Sequence, residues 1–485
     1  MNNRAGFTLK EIADAVKGKL YNAGRDENET IVYGVTRSSL DLKPGNLFAA
    51  IVANRDGHTF INDAIKAGCS AVLISDASVL PLPVPAVLVE DTVKAYGLIA
   101  HYYRKRQNFK VVAVTGSVGK TSTREIVATA LRSGLKVYST PSNQNNELGL
   151  PNTILDAPSD TDVLVLEMGM RLLGEIDYLT RIAEPDVALI TNIGCSHIER
   201  LGSRDNILKA KTEILNGMKS GSLLIINGDD SYLERFVETH SGSNDGIRVA
   251  SVSTENKQIT ELCFSACNTS IRDDGSGTEF DLVAKGVNVD RIFIPVCGVC
   301  HARNALFAML ASYELGLDLN AVKNALSAYE VLPGRGNLIK SGKYTIIDDA
   351  YNASYESMKA AFENMNVISS SRKYNHTILV LGCVLELGDF AGSIHHDIGY
   401  ELSKYEFDYI LVTGDNSQDI YSGYIDGTEE QGKNYKDRII VTESTDVMKE
   451  ELKKFIGQND LILFKGSNAF GLQKMAKEFV EEGNS

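Results

Sequence analysis

The stretch that decides the fold reads Val111-Val112-Ala113-Val114-Thr115-Gly116-Ser117-Val118-Gly119-Lys120-Thr121-Ser122-Thr123. It predicts a buried strand, a glycine-containing turn and the start of a helix. In such a loop, Gly116 and Gly119 let backbone N–H groups approach phosphate oxygens, and the helix N-terminus adds a favourable dipole. Lys120 supplies a positive charge, and the hydroxyl of Thr121 can reach Mg²⁺. The stretch therefore predicts a phosphate-binding loop rather than a plain Gly-Ser turn. It is a variant of the common Walker pattern, which has glycine where Val114 stands.

Two polar side chains follow the next predicted strands. Glu167 comes directly after the apolar run at 162–166, and His197 lies just past the run at 187–191. The carboxyl ends of parallel strands share one edge of a sheet, so both side chains are candidates for a Mg²⁺ site beside the phosphates. Each alone is more typical of an ordinary loop residue. Lys211, taken by itself, is typical of a solvated lysine on a helix.

Apolar runs and breakers divide the 485 residues into three predicted domains, 1–107, 108–330 and 331–485. We expect the first to begin with an amphipathic helix over 9–16 and to end in a basic linker at 104–108. The second and third repeat strand, turn and helix, which is typical of α/β domains with parallel sheets. Their predicted strands cover 111–114, 162–166, 187–191, 223–227, 345–348, 377–381, 409–413, 438–442 and 461–464. Within the second domain, the pattern also predicts an antiparallel segment between 251 and 295 and a helix over 304–314.

Composition limits the possible functions. Lys plus Arg total 49 and Asp plus Glu 63, a formal net charge of −14. This charge has the wrong sign for a nucleic-acid or anionic-membrane partner. No apolar run reaches the roughly 20 residues that a membrane span needs, and residues 1–10 do not resemble a secretory signal. We therefore expect a cytoplasmic protein.

The seven cysteines are thinly spread, as is typical of free thiols in a reducing compartment. Two close pairs, Cys263 with Cys267 and Cys297 with Cys300, leave a zinc site as an alternative. The first pair lies in a predicted strand, where residues four apart share a face whether or not they bind metal.

Several motifs together resemble one family, the Mur ligases of bacterial cell-wall synthesis. Besides the phosphate loop, they lie at 142–151, 167–169, 191–197, 348–358, 386–388 with His395, and 465–467. The resemblance covers essentially the whole chain. It implies an α/β UDP-substrate domain, a central P-loop ATPase-like domain with a parallel sheet, and a C-terminal Rossmann-like domain. The activity implied is an ATP-dependent amide ligase that joins D-alanyl-D-alanine to UDP-N-acetylmuramoyl-tripeptide through an acyl phosphate. We expect a monomer.

The resemblance also implies roles for individual residues. Lys211 aligns with a family lysine that is carbamylated by CO₂, and this role replaces the interpretation of Lys211 as a solvated helix lysine. Two Mg²⁺ ions are also implied. The 297–304 segment matches a nucleotide motif, which accounts better for the second cysteine pair. The implied catalytic residues are Lys120, Glu167, His197 and Lys211, and the implied metal ligands are Thr121, Glu167, His197 and Lys211. The implied ATP-binding residues are Thr115, Gly116, Ser117, Val118, Gly119, Lys120, Thr121, Ser122, Asn304, Arg335 and Asp349. The implied UDP-substrate residues are Thr36, Arg37 and Asn146.

The N-terminal region departs from the family pattern. Residues 44–50 and 56–61 look familial, but Val35 stands where the family has an acid before Thr36 and Arg37. Arg37 is therefore expected to contact the UDP-substrate directly or to pair with another acid such as Asp56.

Two other functions remain as alternatives. A folylpolyglutamate synthase-like ligase would share the central domain but would not predict the motifs at 44–61 and 348–358. A nucleotide-gated scaffold without activity would be favoured by missing phosphate or metal residues. Lys120, Glu167, His197 and Lys211 are all present.

Overall fold

The computed structural model describes residues 6–21, 30–240, 246–272, 275–371 and 374–484. The protein is α/β, as predicted, with two-, five-, nine- and six-stranded sheets. Among the described residues, no helix has both the length and the apolar character that crossing a membrane requires.

The N-terminal segment contains a small, mostly parallel sheet of order β2-β7-β6-β5-β4, and β1 pairs with β3. Its elements are β1 (Phe7–Thr8), α1 (Leu9–Val16), β2 (Lys19–Tyr21), β3 (Ile31–Val32), β4 (Val35–Thr36), β5 (Leu47–Ala49), α2 (Ile61–Lys66), β6 (Ala71–Ile74), β7 (Ala86–Leu88) and α3 (Thr92–Gln107). The predicted helix over 9–16 is confirmed. Thr8 caps it by accepting the N–H of Glu11 at 3.1 Å.

The expectation of a linker at 104–108 is wrong, because α3 continues to Gln107 and Asn108 caps its end in a left-handed conformation. Basic side chains favour the last turn of a helix, where they meet the negative end of its dipole. Arg104 is buried and donates to the carbonyl of Glu184 at 2.9 Å, which ties α3 to the segment that follows.

The central segment carries the nine-stranded sheet, order β16-β15-β14-β13-β12-β11-β8-β10-β9. Strands β8 to β14 are parallel and β14 to β16 antiparallel, as predicted for this stretch. Its elements are β8 (Lys110–Thr115), α4 (Lys120–Leu131), β9 (Val137–Ser139), α5 (Gly149–Asp156), β10 (Val163–Glu167), α6 (Glu175–Ala183), β11 (Val187–Ile190), α7 (Ile198–Leu201), α8 (Arg204–Thr212), β12 (Leu223–Asn227), α9 (Ser231–His240), β13 (Arg248–Ser253), β14 (Cys263–Ile271), β15 (Thr278–Val283), β16 (Ile292–Ile294), α10 (Val299–Glu314) and α11 (Leu319–Ser327).

Alternate residues of β8 face two hydrophobic cores, as expected for a strand covered on both sides. Val112 and Val114 pack with α4 and α10, whereas Val111 and Ala113 pack on the opposite face. The helix after β8 therefore lies on one face, and helices α7 and α8, which follow the neighbouring β11, lie on the other. The two loops diverge here and leave a crevice at the carboxyl edge, where open α/β sheets bind ligands.

The C-terminal segment carries a sheet of order β17-β18-β22-β19-β20-β21, parallel except for β17. Its elements are β17 (Asn337–Lys340), β18 (Tyr344–Asp348), α12 (Tyr355–Ser371), β19 (Thr377–Gly382), α13 (Ala391–Leu402), β20 (Tyr409–Thr413), α14 (Ser417–Glu430), β21 (Ile439–Thr442), α15 (Thr445–Phe455), β22 (Asp460–Lys465) and α16 (Leu472–Gly483). Every strand predicted for the second and third domains is present, with ends shifted by at most one residue. The domain boundaries at 107/108 and 330/331 stay predictions.

One predicted helix start is wrong. Helix α10 begins at Val299, not Asn304, because Gly298 has a φ of 129° that only glycine adopts readily, and the chain enters the helix directly after it. Cys297 and Cys300 therefore flank the start of the helix, and Asn304 lies within it.

Candidate active site

The phosphate loop lies between β8 and α4, at the crevice of the central sheet. Gly119 has a φ of 82° where the chain enters α4. At Gly116, φ is 150° and a Cβ would overlap the hydroxyl of Thr191, so only glycine fits. That hydroxyl donates to the Val118 carbonyl at 2.6 Å, and the Val118 N–H donates to Asn192 Oδ1 at 2.9 Å. Residues after β11 thus hold the loop in shape.

Lys120 folds back over this loop. Its Nζ donates to the carbonyls of Gly116 at 2.8 Å and Ser117 at 3.2 Å. Burial and the nearby Arg335 lower the pKa of Lys120, while Glu167 opposes that shift. The lysine is therefore held where a phosphate would offset the cost of its burial.

Three small hydroxyl side chains of the loop region are buried. Thr115 Oγ1 donates to the Met168 carbonyl at 3.0 Å, and Ser117 Oγ accepts the Gly194 N–H at 2.9 Å. Ser122 is also buried. Thr115 and Ser117 therefore brace the loop through their side chains, and the Ser117 N–H adds a backbone bond by donating to the Asn192 carbonyl at 3.1 Å.

Glu167 ends β10 and is buried beside the loop. Its two carboxylate oxygens accept from Asn145 Nδ2 at 2.8 Å and from Arg124 Nη1 at 3.3 Å. Arg124, only 2% exposed, also bonds Glu125 and the Ser142 carbonyl. Sequence reasoning missed Arg124, whose position in α4 looks like an ordinary helix residue.

His197 directly precedes α7 and has a φ of 64°, a strained conformation for a residue other than glycine. Its Nδ1 lies 2.9 Å from Glu386 Oε2, in the loop after β19. Burial and the charges of Lys120 and Lys211 lower the pKa of His197, against the raising effect of Glu386. The neutral imidazole, which is the form that can bind a metal, is therefore favoured.

Lys211 lies in α8 and is only 2% exposed, so the prediction from its local sequence of a solvated helix lysine is wrong. Throughout the described part of the chain, no hydrogen bond or ion pair to its Nζ is formed. Burial and the charge of Lys120 place the pKa of Lys211 well below its ordinary value of 10.5. A buried lysine without an anionic partner favours its neutral, nucleophilic amine.

One predicted residue, Arg335, reaches the loop from the C-terminal segment. Arg335 Nη2 lies 3.5 Å from Thr121 Oγ1, and its guanidinium stacks 4.0 Å from the centre of the Tyr351 ring. The hydroxyl of Tyr351 crosses to Asn143 Oδ1 at 2.7 Å. Asp349 is held by Lys465, with Nζ 2.7 Å from Oδ2.

Asn304, the remaining predicted ATP residue, is buried on α10. Its Oδ1 accepts from Thr123 Oγ1 at 3.0 Å, which brings it to the first turn of α4. The structure thus gathers Lys120, Thr121, Arg335 and Asn304 around one loop.

The three predicted UDP-substrate residues lie elsewhere. Arg37 is exposed, and among the described residues it forms no ion pair with Asp56, whose Oδ1 lies 2.7 Å from His58 Nδ1. Thr36 Oγ1 bonds the backbone of Ser38. Val35 is buried in β4, so an apolar side chain suits its position.

Asn146, the third of them, is exposed within the central segment, between β9 and α5. Its Oδ1 accepts the N–H of Gly149 at 2.9 Å, at the start of α5.

The cysteines are free thiols wherever the structure describes them, and all seven are described. No group of three or more His, Cys, Asp or Glu side chains that could hold a metal ion occurs among the described residues. Glu167 and His197 each interact with Lys120, but no contact between the two is described. The sequence motif at 386–388 includes Glu386 but does not indicate a role for it.

The fold and this site define a class of protein. The family model of the Mur ligase middle domain matches residues 114–312. The family model of the Mur ligase glutamate ligase domain matches residues 334–468. The chain belongs to the Mur ligase family.

Curated relatives bear one name. The UDP-N-acetylmuramoyl-tripeptide--D-alanyl-D-alanine ligase of Bacillus subtilis (strain 168) is 36% identical over 480 residues, covering 98% of each chain. The ligase of the same name from Escherichia coli (strain K12) is 30% identical over 485 residues, covering 98% of this chain and 99% of that protein.

Solved structures agree on the fold. MurF from Acinetobacter baumannii superposes with a TM-score of 0.85 at 24% identity, covering 99% of this chain and 100% of that chain. MurF ligase from Thermotoga maritima, in complex with ADP, gives a TM-score of 0.78 at 25% identity, covering 93% and 97%. Folylpolyglutamate synthase of Mycobacterium tuberculosis shares the fold more distantly, with a TM-score of 0.59 over 80% of this chain.

Proposed function

We propose that this protein is an ATP-dependent amide ligase that joins D-alanyl-D-alanine to UDP-N-acetylmuramoyl-tripeptide. The observation that carries the proposal is the match, over 98% of the chain, to curated ligases of that name, combined with an intact phosphate loop. The folylpolyglutamate synthase alternative rests on a weaker likeness that covers 80% of the chain at 18% identity.

The chain's own cations account for the first half-reaction. ATP would phosphorylate the terminal carboxylate of the tripeptide, and the transferring phosphoryl group needs charge stabilisation more than a protein nucleophile. Lys120 and Arg335 approach the loop from two segments, so both can meet phosphate oxygens. Asn304 and Asp349 are proposed to contact adenine and ribose. The dipeptide amine then displaces phosphate from the acyl phosphate and forms the amide.

The residues present fit a divalent cation. Mg²⁺ would neutralise phosphate charge, and oxygen donors are its preferred ligands. Glu167 is a buried carboxylate with lone pairs left beyond its two hydrogen bonds, and Thr121 offers a hydroxyl nearby. We propose that these two hold one Mg²⁺ and that His197 helps to hold a second.

Lys211 is proposed to act as a carbamate. Its buried amine lacks an anionic partner within the described residues, and its lowered pKa favours the neutral form that attacks CO₂. Carbamylation would turn a repelled cation into a carboxylate beside Lys120, which suits a site for Mg²⁺.

The remaining parts of the proposal are coarser. Residues 1–107 would bind the UDP-sugar through Thr36 and Arg37, with Asn146 contributing from the central domain. Residues 108–330 would bind ATP, and 331–485 would complete the ligase site. We also propose that the protein acts as a monomer in the cytoplasm.

The test is phosphate release from ATP by the purified protein with UDP-N-acetylmuramoyl-tripeptide, with and without D-alanyl-D-alanine. Release that requires both, with a pentapeptide product seen by mass spectrometry, supports the proposal. Release driven by folate and glutamate instead would favour the synthase alternative, and no release with either would favour the scaffold.

A further inference from the structure

The C-terminal sheet has a crevice of its own. Helix α13, which follows β19, packs on one face, whereas α16, which follows the neighbouring β22, packs on the other. The loops after β19 and β22 therefore diverge at the carboxyl edge, where open α/β sheets bind ligands. The two loops touch at their start, because the Leu385 N–H donates to Ser467 Oγ at 3.1 Å.

Glu386 stands at this crevice. Its φ of 63° is strained for a residue other than glycine, and strain of this kind persists where the surroundings fix it, often at functional sites. Its side chain is 49% exposed and faces His197, which also has a positive φ, across the boundary between the segments. His197 in turn interacts with Lys120 of the phosphate loop. The carboxylate is therefore accessible from solvent and one side chain away from the phosphate lysine.

The neighbours of Glu386 suit a small, partly apolar ligand. Leu385 and Phe390 in the same loop are 48% and 37% exposed, although both are large and apolar. On the C-terminal side Glu386 offers a carboxylate, in contrast to the cations Lys120 and Lys211 of the central segment, which act on His197.

We propose that Glu386 binds the ammonium group of the incoming dipeptide and so determines specificity for an amine nucleophile. This inference rests on the proposed function. The carboxylate makes a charge-assisted hydrogen bond to the ammonium, and Leu385 and Phe390 cover the methyl groups of the dipeptide. The cationic face opposite receives the phosphates, so the two substrates meet at the boundary where Glu386 approaches His197.

The experiment compares two ligands that differ only in the amino group. D-Alanyl-D-alanine is the substrate, and propionyl-D-alanine, which lacks the amine, is tested as a competitive inhibitor with ATP and UDP-N-acetylmuramoyl-tripeptide present. The wild type should bind the dipeptide at least about tenfold more tightly than the analogue, because a hydrogen bond between charged groups contributes that much.

Glu386→Gln should raise the KM for the dipeptide by about tenfold or more and leave the KM values for ATP and the UDP-substrate within about twofold. It should also abolish the preference for the dipeptide over the analogue. If Glu386 only supported the local structure, the substitution would weaken the binding of the dipeptide and of the analogue equally. Glu386→Asp should recover part of the preference.

Asp389→Asn is the matched control. Asp389 is an exposed carboxylate three residues along the same loop, and this variant should keep wild-type preference. Retained preference in a folded Glu386→Gln protein would overturn the inference. If the wild type does not ligate the dipeptide at all, the proposed function fails instead.

Discussion

Replacing Lys211 by methionine should stabilise the protein while abolishing ligation. Lys211 is 2% exposed, interacts unfavourably with Lys120 and has no anionic partner in the described part of the chain. Methionine has a similar length and no charge, so the variant removes the cost of burying an amine and keeps the packing.

The sign and the upper limit of the stability change follow from the linkage between protonation of Lys211 and folding. The folded pKa of Lys211 lies well below 10.5, so between these two values the unfolded chain binds more protons than the folded one. Stability contributed by this group therefore rises with pH across that window, and the cost is fully present below the folded pKa. At pH 7 the cost of burying the charged amine cannot exceed about 5 kcal/mol. This bound is the difference between pH 7 and the ordinary pKa of 10.5, multiplied by about 1.4 kcal/mol per unit of pH. We expect Lys211→Met to gain about 2–4 kcal/mol at pH 7 and less at pH 9.

The assay is thermal unfolding in CO₂-free buffer with EDTA, so that the lysine stays unmodified. For a domain of this size, a gain of that order raises the Tm of the central transition by roughly 4–16 °C. Lys209→Met is the control, since Lys209 is exposed on the same helix. A Lys211→Met protein that is no more stable than the wild type, or whose advantage grows with pH, would refute the reasoning.

Three further variants test the site. Lys120→Ala should fold normally but lower kcat by orders of magnitude, because one charge beside the phosphoryl group contributes several kcal/mol; near-normal ligation by the variant would contradict the assignment. Gly116→Ala should weaken ATP binding at least about tenfold in a nucleotide titration, since its Cβ would displace Thr191; unchanged binding would show that the loop adapts. Arg37→Ala should raise the KM for the UDP-muramoyl peptide and leave the KM for ATP unchanged, and an equal rise in both would place Arg37 elsewhere.

The strands could be predicted from the sequence because buried parallel strands are continuous apolar runs bounded by turns. The start of α10 and the end of α3 could not. Gly298 marks the entry into α10 through its backbone angle, which composition does not reveal. The polar run 104–108 has the composition of a linker. Its helical structure could not be predicted, because Arg104 bonds Glu184, which lies 80 residues further along the chain.

Among the residues of the candidate site, too, some could be predicted from the sequence and others could not. The positions of Lys120, Thr121 and Glu167 beside the loop could be predicted because each lies at a strand end or in the loop itself, whereas their roles stay predictions. Arg124 and Glu386 could not, because their roles depend on contacts across the fold, with Glu167 and His197. The burial of Lys211 also follows only from tertiary packing, and its local pattern predicts the opposite.

The distribution of charge explains how an acidic chain can attract ATP. The net charge of −14 would repel phosphates at a distance, yet Lys120, Lys211 and Arg335 converge on one crevice. Burial lowers the pKa of all three, so each gains from a phosphate or another anion that offsets its desolvation. Low-dielectric walls strengthen this local field while salt screens the distant carboxylates. Because Arg335 comes from the C-terminal segment, bound phosphate would hold that segment against the central one, which is the arrangement that brings Glu386 to His197.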